Sequence, residues 1–197
     1  MPLEIFLALA GFSFVSSITP GPNNLMLLAS GVNYGFRQTM PHMLGIAGGF
    51  AILLGCIGFG LGQLLERFPT AFMVIKFAGG SYLIYLAYRI ATSGPIKKGK
   101  DKGRPMRFIE AALFQWVNPK AWVMAVTAMA TYTNPSRYAP SVVLVVVIFT
   151  VINLPSVACW TAFGTTMRGF LSNVKRLRIF NCAMAVMLVV SLWPMLR

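Results

Sequence analysis

Acid is the scarcest resource in this chain. Glu4, Glu66, Asp101, Glu110 and a single histidine, His42, are all that 197 residues supply. An enzyme site needs a nucleophile with a base, paired carboxylates or a metal cluster, and almost nothing here is left to build one. Ser16 and Ser17 lack an evident base. Cysteine is nearly as sparse. Cys56, Cys159 and Cys182 lie far apart in apolar runs, so they form neither a disulfide framework nor a metal-ligand set. They read as small packing residues, and no cofactor or metal is expected.

Charge of any sign is also short, at 11% of residues, while 57% are hydrophobic. That balance excludes an ordinary water-soluble domain. What fills the chain is long apolar runs, six of them, at about 3–30, 41–65, 70–90, 108–132, 139–165 and 178–196. Each is long enough to cross a bilayer as a helix. The expected architecture is therefore one all-α membrane domain over 1–197 with six transmembrane helices. A cleaved leader needs a basic start and a short apolar core; here the only early side-chain charge is Glu4.

The net charge of +13 is unevenly placed. With six spans, one face receives Arg37, Arg89, Lys97, Lys98, Lys100, Lys102, Arg104, Arg107, Arg168, Lys175, Arg176 and Arg178. The other receives only Arg67, Arg137 and Arg197. Twelve against three makes the basic face cytoplasmic and puts both termini on the periplasmic side. Residues 92–107, TSGPIKKGKDKGRPMR, read as a mobile cytoplasmic loop facing anionic headgroups. Nucleic-acid binding is not expected, because that needs basic residues on a folded surface.

One segment contradicts its surroundings. ITPGPNN (18–24) sets two prolines and a glycine inside the first apolar run. Pro20 and Pro22 bring no N–H, which frees the carbonyls of Ser16 and Ile18. Broken backbone survives at membrane depth only beside protein or a watery cavity. Thr19-Pro20 reads as an N-cap with proline at the first helical position, so one helix is expected to end near Ser17 and the next to start at Pro20. Asn118-Pro119 repeats that grammar in the fourth run. Breaks in spans one and four, which run oppositely, fit a 3+3 inverted repeat whose interrupted helices mark a transport site. At 1.5 Å per residue Asn118 lies ~15 Å from the cytoplasmic end of its span and Thr19 ~24 Å from the outer end of its own. The two breaks therefore approach each other near the midplane.

Candidate binding residues follow from the breaks: Thr19, Pro20, Gly21, Pro22, Asn23 and Asn24 at the first, and Asn118, Pro119 and Lys120 at the second. Two helix N-termini and the costly buried cation Lys120 suit a carboxylate. Asn153 and Pro155, in mid-span five, read as a third interruption. Trp116 is either a wall of the site or packing. Glu110 and His42 are the candidates for ion coupling. Lys76 reads as snorkelling to the interface or touching substrate. Gly45/Gly49 and Gly58/Gly62 are small-xxx-small pairs, serving either packing within the subunit, a sliding surface or a homodimer seam.

Several stretches together resemble one family. Ser17-Ile18-Thr19-Pro20-Gly21-Pro22-Asn23-Asn24, Gly31-Val32-Asn33-Tyr34-Gly35, Gly45-Ile46-Ala47-Gly48-Gly49, Lys76-Phe77-Ala78-Gly79-Gly80-Ser81-Tyr82-Leu83 and Asn118-Pro119-Lys120 are similar to the LysE/RhtB family of bacterial amino-acid exporters. The resemblance implies an inner-membrane secondary transporter that exports amino acids or close derivatives, driven by an ion gradient. Ala111 departs from the glycine many members carry three residues after the phenylalanine that opens span four. An oligomeric channel or a structural membrane protein is the alternative, and would want a pore-lining ring.

Overall fold

The computed structural model describes residues 1–61, 69–93 and 104–191. Among these, every regular element is helical. Helix α1 (Leu3–Ile18) stops at the first break, and α2 (Pro22–Tyr34) resumes at an angle of 54°. There follow α3 (Phe36–Cys56), α4 (Pro69–Ala91), α5 (Phe108–Phe114), α6 (Pro119–Tyr132), α7 (Tyr138–Met167) and α8 (Val174–Val190). A 3-10 turn over Gln115–Val117 carries α5 into the second break. By length and composition Phe36–Leu61 and Pro135–Met167 can each cross a membrane, and α1 with α2 makes a third when counted as one bent span. Val143, Val147 and Val151 form an exposed apolar stripe along α7, the face such a helix turns to lipid.

The first two spans meet more tightly than the sequence suggests. Instead of a loop between residues 30 and 41, Gly35 alone separates α2 from α3. Its φ of +86° lies in the left-handed region that costs any residue with a Cβ. Ser30 Oγ and Thr39 Oγ1 share a hydrogen bond of 2.9 Å across this corner.

Glycine faces set the helix contacts. A Cβ on Gly31 would lie 2.4 Å from the Thr161 carbonyl oxygen, and one on Gly164 would lie 2.2 Å from that of Leu28. So α2 and α7 touch backbone to backbone. Gly45 and Gly49 face α5, where Cβ atoms would meet Phe108 O at 2.3 Å and Ala112 Cα at 2.5 Å. This pair packs within the subunit. Gly58 faces Val142 and Met129, while Gly62, Glu66, Arg67, residues 94–103, Trp193, Arg197 and the side chain of Lys76 lie outside the described residues.

Two apolar clusters fill the interior. One joins Leu9, Phe50, Leu53, Trp122 and Phe149 from α1, α3, α6 and α7. The other joins Leu27, Ile46, Leu83, Phe114 and Leu188 from α2, α3, α4, α5 and α8. Both breaks lie where these clusters meet.

Three expectations about helix continuity need correction. Thr19 does not open the second helix. It closes α1 as C-cap, with φ −64° and ψ 145°, and α2 begins at Pro22 behind Gly21 (φ −177°, ψ 177°). The reason is steric: a residue before proline is pushed out of the α region. With Gly21 held extended by Pro22, no helix can start at Pro20. The third interruption does not exist, since α7 runs unbroken through Asn153 and Pro155. One proline removes one helical hydrogen bond, and the rest of a 30-residue helix holds. Finally, the second helix does not begin at about 41: α3 starts at Phe36, so His42 lies inside it, 2% exposed.

Candidate functional site

A proline-broken helix must find new partners for its carbonyls. At the first break each freed group has one. Thr19 Oγ1 donates to Ser16 O at 3.1 Å, and Trp160 Nε1 reaches from α7 to Ile18 O at 3.0 Å. Asn24 Nδ2 turns back from the first turn of α2 to both Ser17 O and Thr19 O, each at 2.8 Å. Lys120 Nζ completes the set, donating to Thr19 O at 2.7 Å, Thr19 Oγ1 at 2.9 Å and Pro20 O at 3.3 Å. The carbonyls of Ser16 and Ile18 are therefore committed to fixed partners.

Gly21 makes the lysine's position available. Its extended backbone suits any residue, but a Cβ there would lie 2.7 Å from Lys120 Cδ and 3.2 Å from Nζ. The glycine is needed for room, not for conformation.

The second break is local. Asn118 is extended (φ −87°, ψ 108°) ahead of Pro119, and its side chain accepts from Lys120 N at 3.2 Å as the N-cap of α6. Trp122 Nε1 donates to Trp116 O at 2.8 Å, closing the end of the 3-10 turn. Here the sequence expectation matches the structure.

The breaks are tied together by a reciprocal amide pair. Asn23 Nδ2 donates to Gln115 Oε1 at 2.8 Å, and Gln115 Nε2 returns to Asn23 Oδ1 at 3.2 Å. Between them opens a small cleft. Its polar wall includes Ser17, Asn24, Gln115, Asn118, Lys120 and Asn153; its apolar wall is Ile46, Phe50, Ala121, Met124 and Val157. Lys120 is its one ionisable lining residue among those described. Asn153 Nδ2 donates to Ser17 Oγ at 3.1 Å, whereas its Oδ1 is buried with no partner among the described residues. The cleft thus receives the carbonyl end of α1 and the N–H ends of α2 and α6. Such a pair of opposed helix ends favours a cation on one side and an anion on the other.

Of the ten expected binding residues, Gly21, Asn23, Asn24, Asn118, Lys120 and Asn153 line the cleft. Thr19 and Pro20 face it through Lys120, and Pro22 and Pro119 start the two helices. Trp116 stays beside the core cluster. Gln115, Ser17 and Trp160 escaped the sequence reading as site residues. Gln115 carried a signal, an amide three positions before Asn118 in an apolar run, and buried amides need partners. Trp160 did too, since a mid-span indole N–H must find an acceptor.

The two expected coupling groups have different surroundings. Glu110 is bound by Arg104 through a two-point contact, one arm of it 2.8 Å, and accepts from Arg107 N at 2.9 Å. It caps α5, and its hydrogen bond raises the Arg104 guanidinium above its ordinary pKa. His42 lies one helical turn from the cleft residue Ile46, buried, with neither ring nitrogen partnered among the described residues.

The LysE type translocator family matches the chain over residues 14–191. The cysteine/O-acetylserine efflux proteins of Escherichia coli (strain K12) and Shigella flexneri serotype 5b (strain 8401) are each 33% identical over 180 residues, covering 90% of either chain. No solved structure matches. With nine-tenths of its length aligned to such relatives, this chain is a membrane protein belonging to the LysE type translocator family, a family of transporters and not of enzymes.

Proposed function

We propose that the protein exports small zwitterionic amino acids or their close derivatives from the cytoplasm across the bacterial inner membrane. The observation that carries this is the cleft between two broken helices, with a carbonyl-lined end and an N–H-lined end held by Asn23 and Gln115. A zwitterion matches opposed helix ends without requiring a buried counter-charge. The efflux relatives, named for cysteine and O-acetylserine, support small polar substrates, and the apolar wall of Ile46, Phe50 and Met124 suits a short side chain.

Six spans in a 3+3 inverted repeat fit the packing. Helix α1 packs on α7 while α5 packs on α3, and α4 packs on α8. Exchanging the two halves of the chain maps α1–α7 onto α5–α3 and α4–α8 onto itself, as an inverted repeat requires. The basic face is cytoplasmic by the positive-inside rule, which leaves both termini periplasmic. Coupling to the ion gradient runs through His42 in this reading, since Glu110 is engaged as a cap.

The test is untargeted. Bacteria producing the protein are fed dipeptides, and amino compounds in the medium are quantified by mass spectrometry. An Asn118→Ala variant at matched membrane abundance is the control. Enrichment of one small amino compound by the unaltered protein alone is the expected result. Equal media from both strains would contradict the reading.

A further inference from the structure

Lys120 does something unusual for a membrane-embedded cation. It has no carboxylate partner among the described residues, and its ammonium group sits on three oxygens: Thr19 O at 2.7 Å, Thr19 Oγ1 at 2.9 Å and Pro20 O at 3.3 Å. An ammonium has three N–H donors and no acceptor, so a cradle of three acceptors matches it donor for donor. The oxygens belong to Thr19, the C-cap of α1, and to Pro20 just beyond it, at the end of the helix where the dipole is negative. Both arms of the cradle come from the proline break, since neither carbonyl has a helical N–H in reach.

The cradle is held open independently of the lysine. Asn24 Nδ2 bonds Ser17 O and Thr19 O from behind, at 2.8 Å each, and Trp160 fixes Ile18 O at 3.0 Å. Gly21 leaves the space through which the lysine chain enters. Next to it, the buried Asn153 Oδ1 lines the same cleft with no partner among the described residues.

We propose that Lys120 Nζ occupies, in the empty protein, the subsite that receives the α-ammonium group of the transported amino acid. Loading exchanges one primary ammonium for another. The incoming ammonium takes the Thr19 and Pro20 oxygens and brings a donor toward Asn153 Oδ1. The displaced Lys120 swings to the substrate carboxylate, beside the N-terminus of its own helix, α6. No bond is made or broken covalently, and the cleft keeps the same net charge when a zwitterion enters. The lysine also keeps the carbonyls satisfied between cycles, when bare oxygens would be costly in lipid. The substrate's identity rests on the export reading above, whereas the cradle does not.

The test uses the full-length protein purified in detergent. Methionine is one atom shorter than lysine, so Lys120→Met vacates the Nζ position and keeps the stem. Methylammonium should raise the thermal midpoint of Lys120→Met by about 3–6 °C once it reaches about ten times its half-saturating concentration. The unaltered protein, whose cradle is filled, should not respond. Adding Thr19→Val, which removes one of the three acceptors, should weaken the response. Should Lys120→Met yield no folded protein, Lys120→Ala with propylammonium makes the same comparison.

An equal response to tetramethylammonium, which has no N–H, or to sodium would overturn the proposal. So would no response from folded Lys120→Met. If methylammonium binds as described and the export assay fails, the ammonium subsite stands and the export reading falls. If export succeeds and methylammonium has no effect, Lys120 is a fixed cap and only the exchange falls.

Discussion

The two breaks use the same residue, proline, and solve the resulting problem in different ways. At the second, one extended residue interrupts the chain, and its repairs come from the same segment: Asn118 caps Lys120 N, and Trp122 closes on Trp116 O. At the first, three residues leave the helix, and the repairs come from three helices: Asn24 on α2, Lys120 on α6 and Trp160 on α7. A locally repaired break keeps its shape when neighbouring helices move. A break stitched by other helices changes its bonding when any of them shifts. The difference ties the second break's shape to its own segment and the first break's shape to the packing of three other helices. Pro155 supplies a third case, a proline that breaks nothing because it stands alone in a long helix.

The contrast can be broken at four places. The largest effect is expected from Asn24→Leu, which strips the Ser17 and Thr19 carbonyls of a shared buried donor. Thr19 O keeps Lys120, but the Ser17 carbonyl is left bare, at about 1–3 kcal/mol, so folded protein recovered from membranes should fall sharply. Undiminished recovery and thermal midpoint would show the first break does not depend on its long-range partners. Next comes Asn118→Ala, with about 1 kcal/mol lost with the N-cap, while Asn118→Ser restores most of it. Denaturation in detergent reads this; if serine rescues no better than alanine, the local-repair account of the second break is wrong.

Trp160→Phe keeps the ring's bulk but frees Ile18 O, for an expected loss of about 0.6 kcal/mol, the mean for hydrogen bonds within membrane proteins. The smallest effect belongs to Pro155→Ala. Because α7 is already continuous there, its thermal midpoint should stay within the roughly 0.5 kcal/mol scatter of benign substitutions. A large shift would mean the proline shapes α7 after all.

What the sequence could reveal follows the same division. Asn118-Pro119 was legible because cap and proline act over neighbouring residues. The start of α2 was misplaced by two positions, since Thr19-Pro20 and Gly21-Pro22 compete and only the later proline has a free run behind it. Asn24, Lys120 and Trp160 acting on one break were not legible as a group, because their meeting is set by packing of α2, α6 and α7. The glycines of α2 and α7 that permit that packing, Gly31 and Gly164, carry no sequence signal of whom they face. The second apolar run reads from about 41, whereas α3 starts at Phe36, because Arg37 and Gln38 interrupt the apolar pattern without interrupting the helix.

The central claim is that the cleft between the breaks holds the transported amino acid, and Asn153 tests it most directly. Its Oδ1 has no partner among the described residues, so Asn153→Leu sacrifices a single bond to Ser17 Oγ while removing an acceptor from the cleft wall. Transport of isotope-labelled cysteine and O-acetylserine would be followed in inverted membrane vesicles at matched protein abundance. The account predicts that Asn153→Leu inserts normally and transports at least about tenfold less, the equivalent of ~1.4 kcal/mol. Transport equal to that of the unaltered protein would contradict it and move the binding site elsewhere.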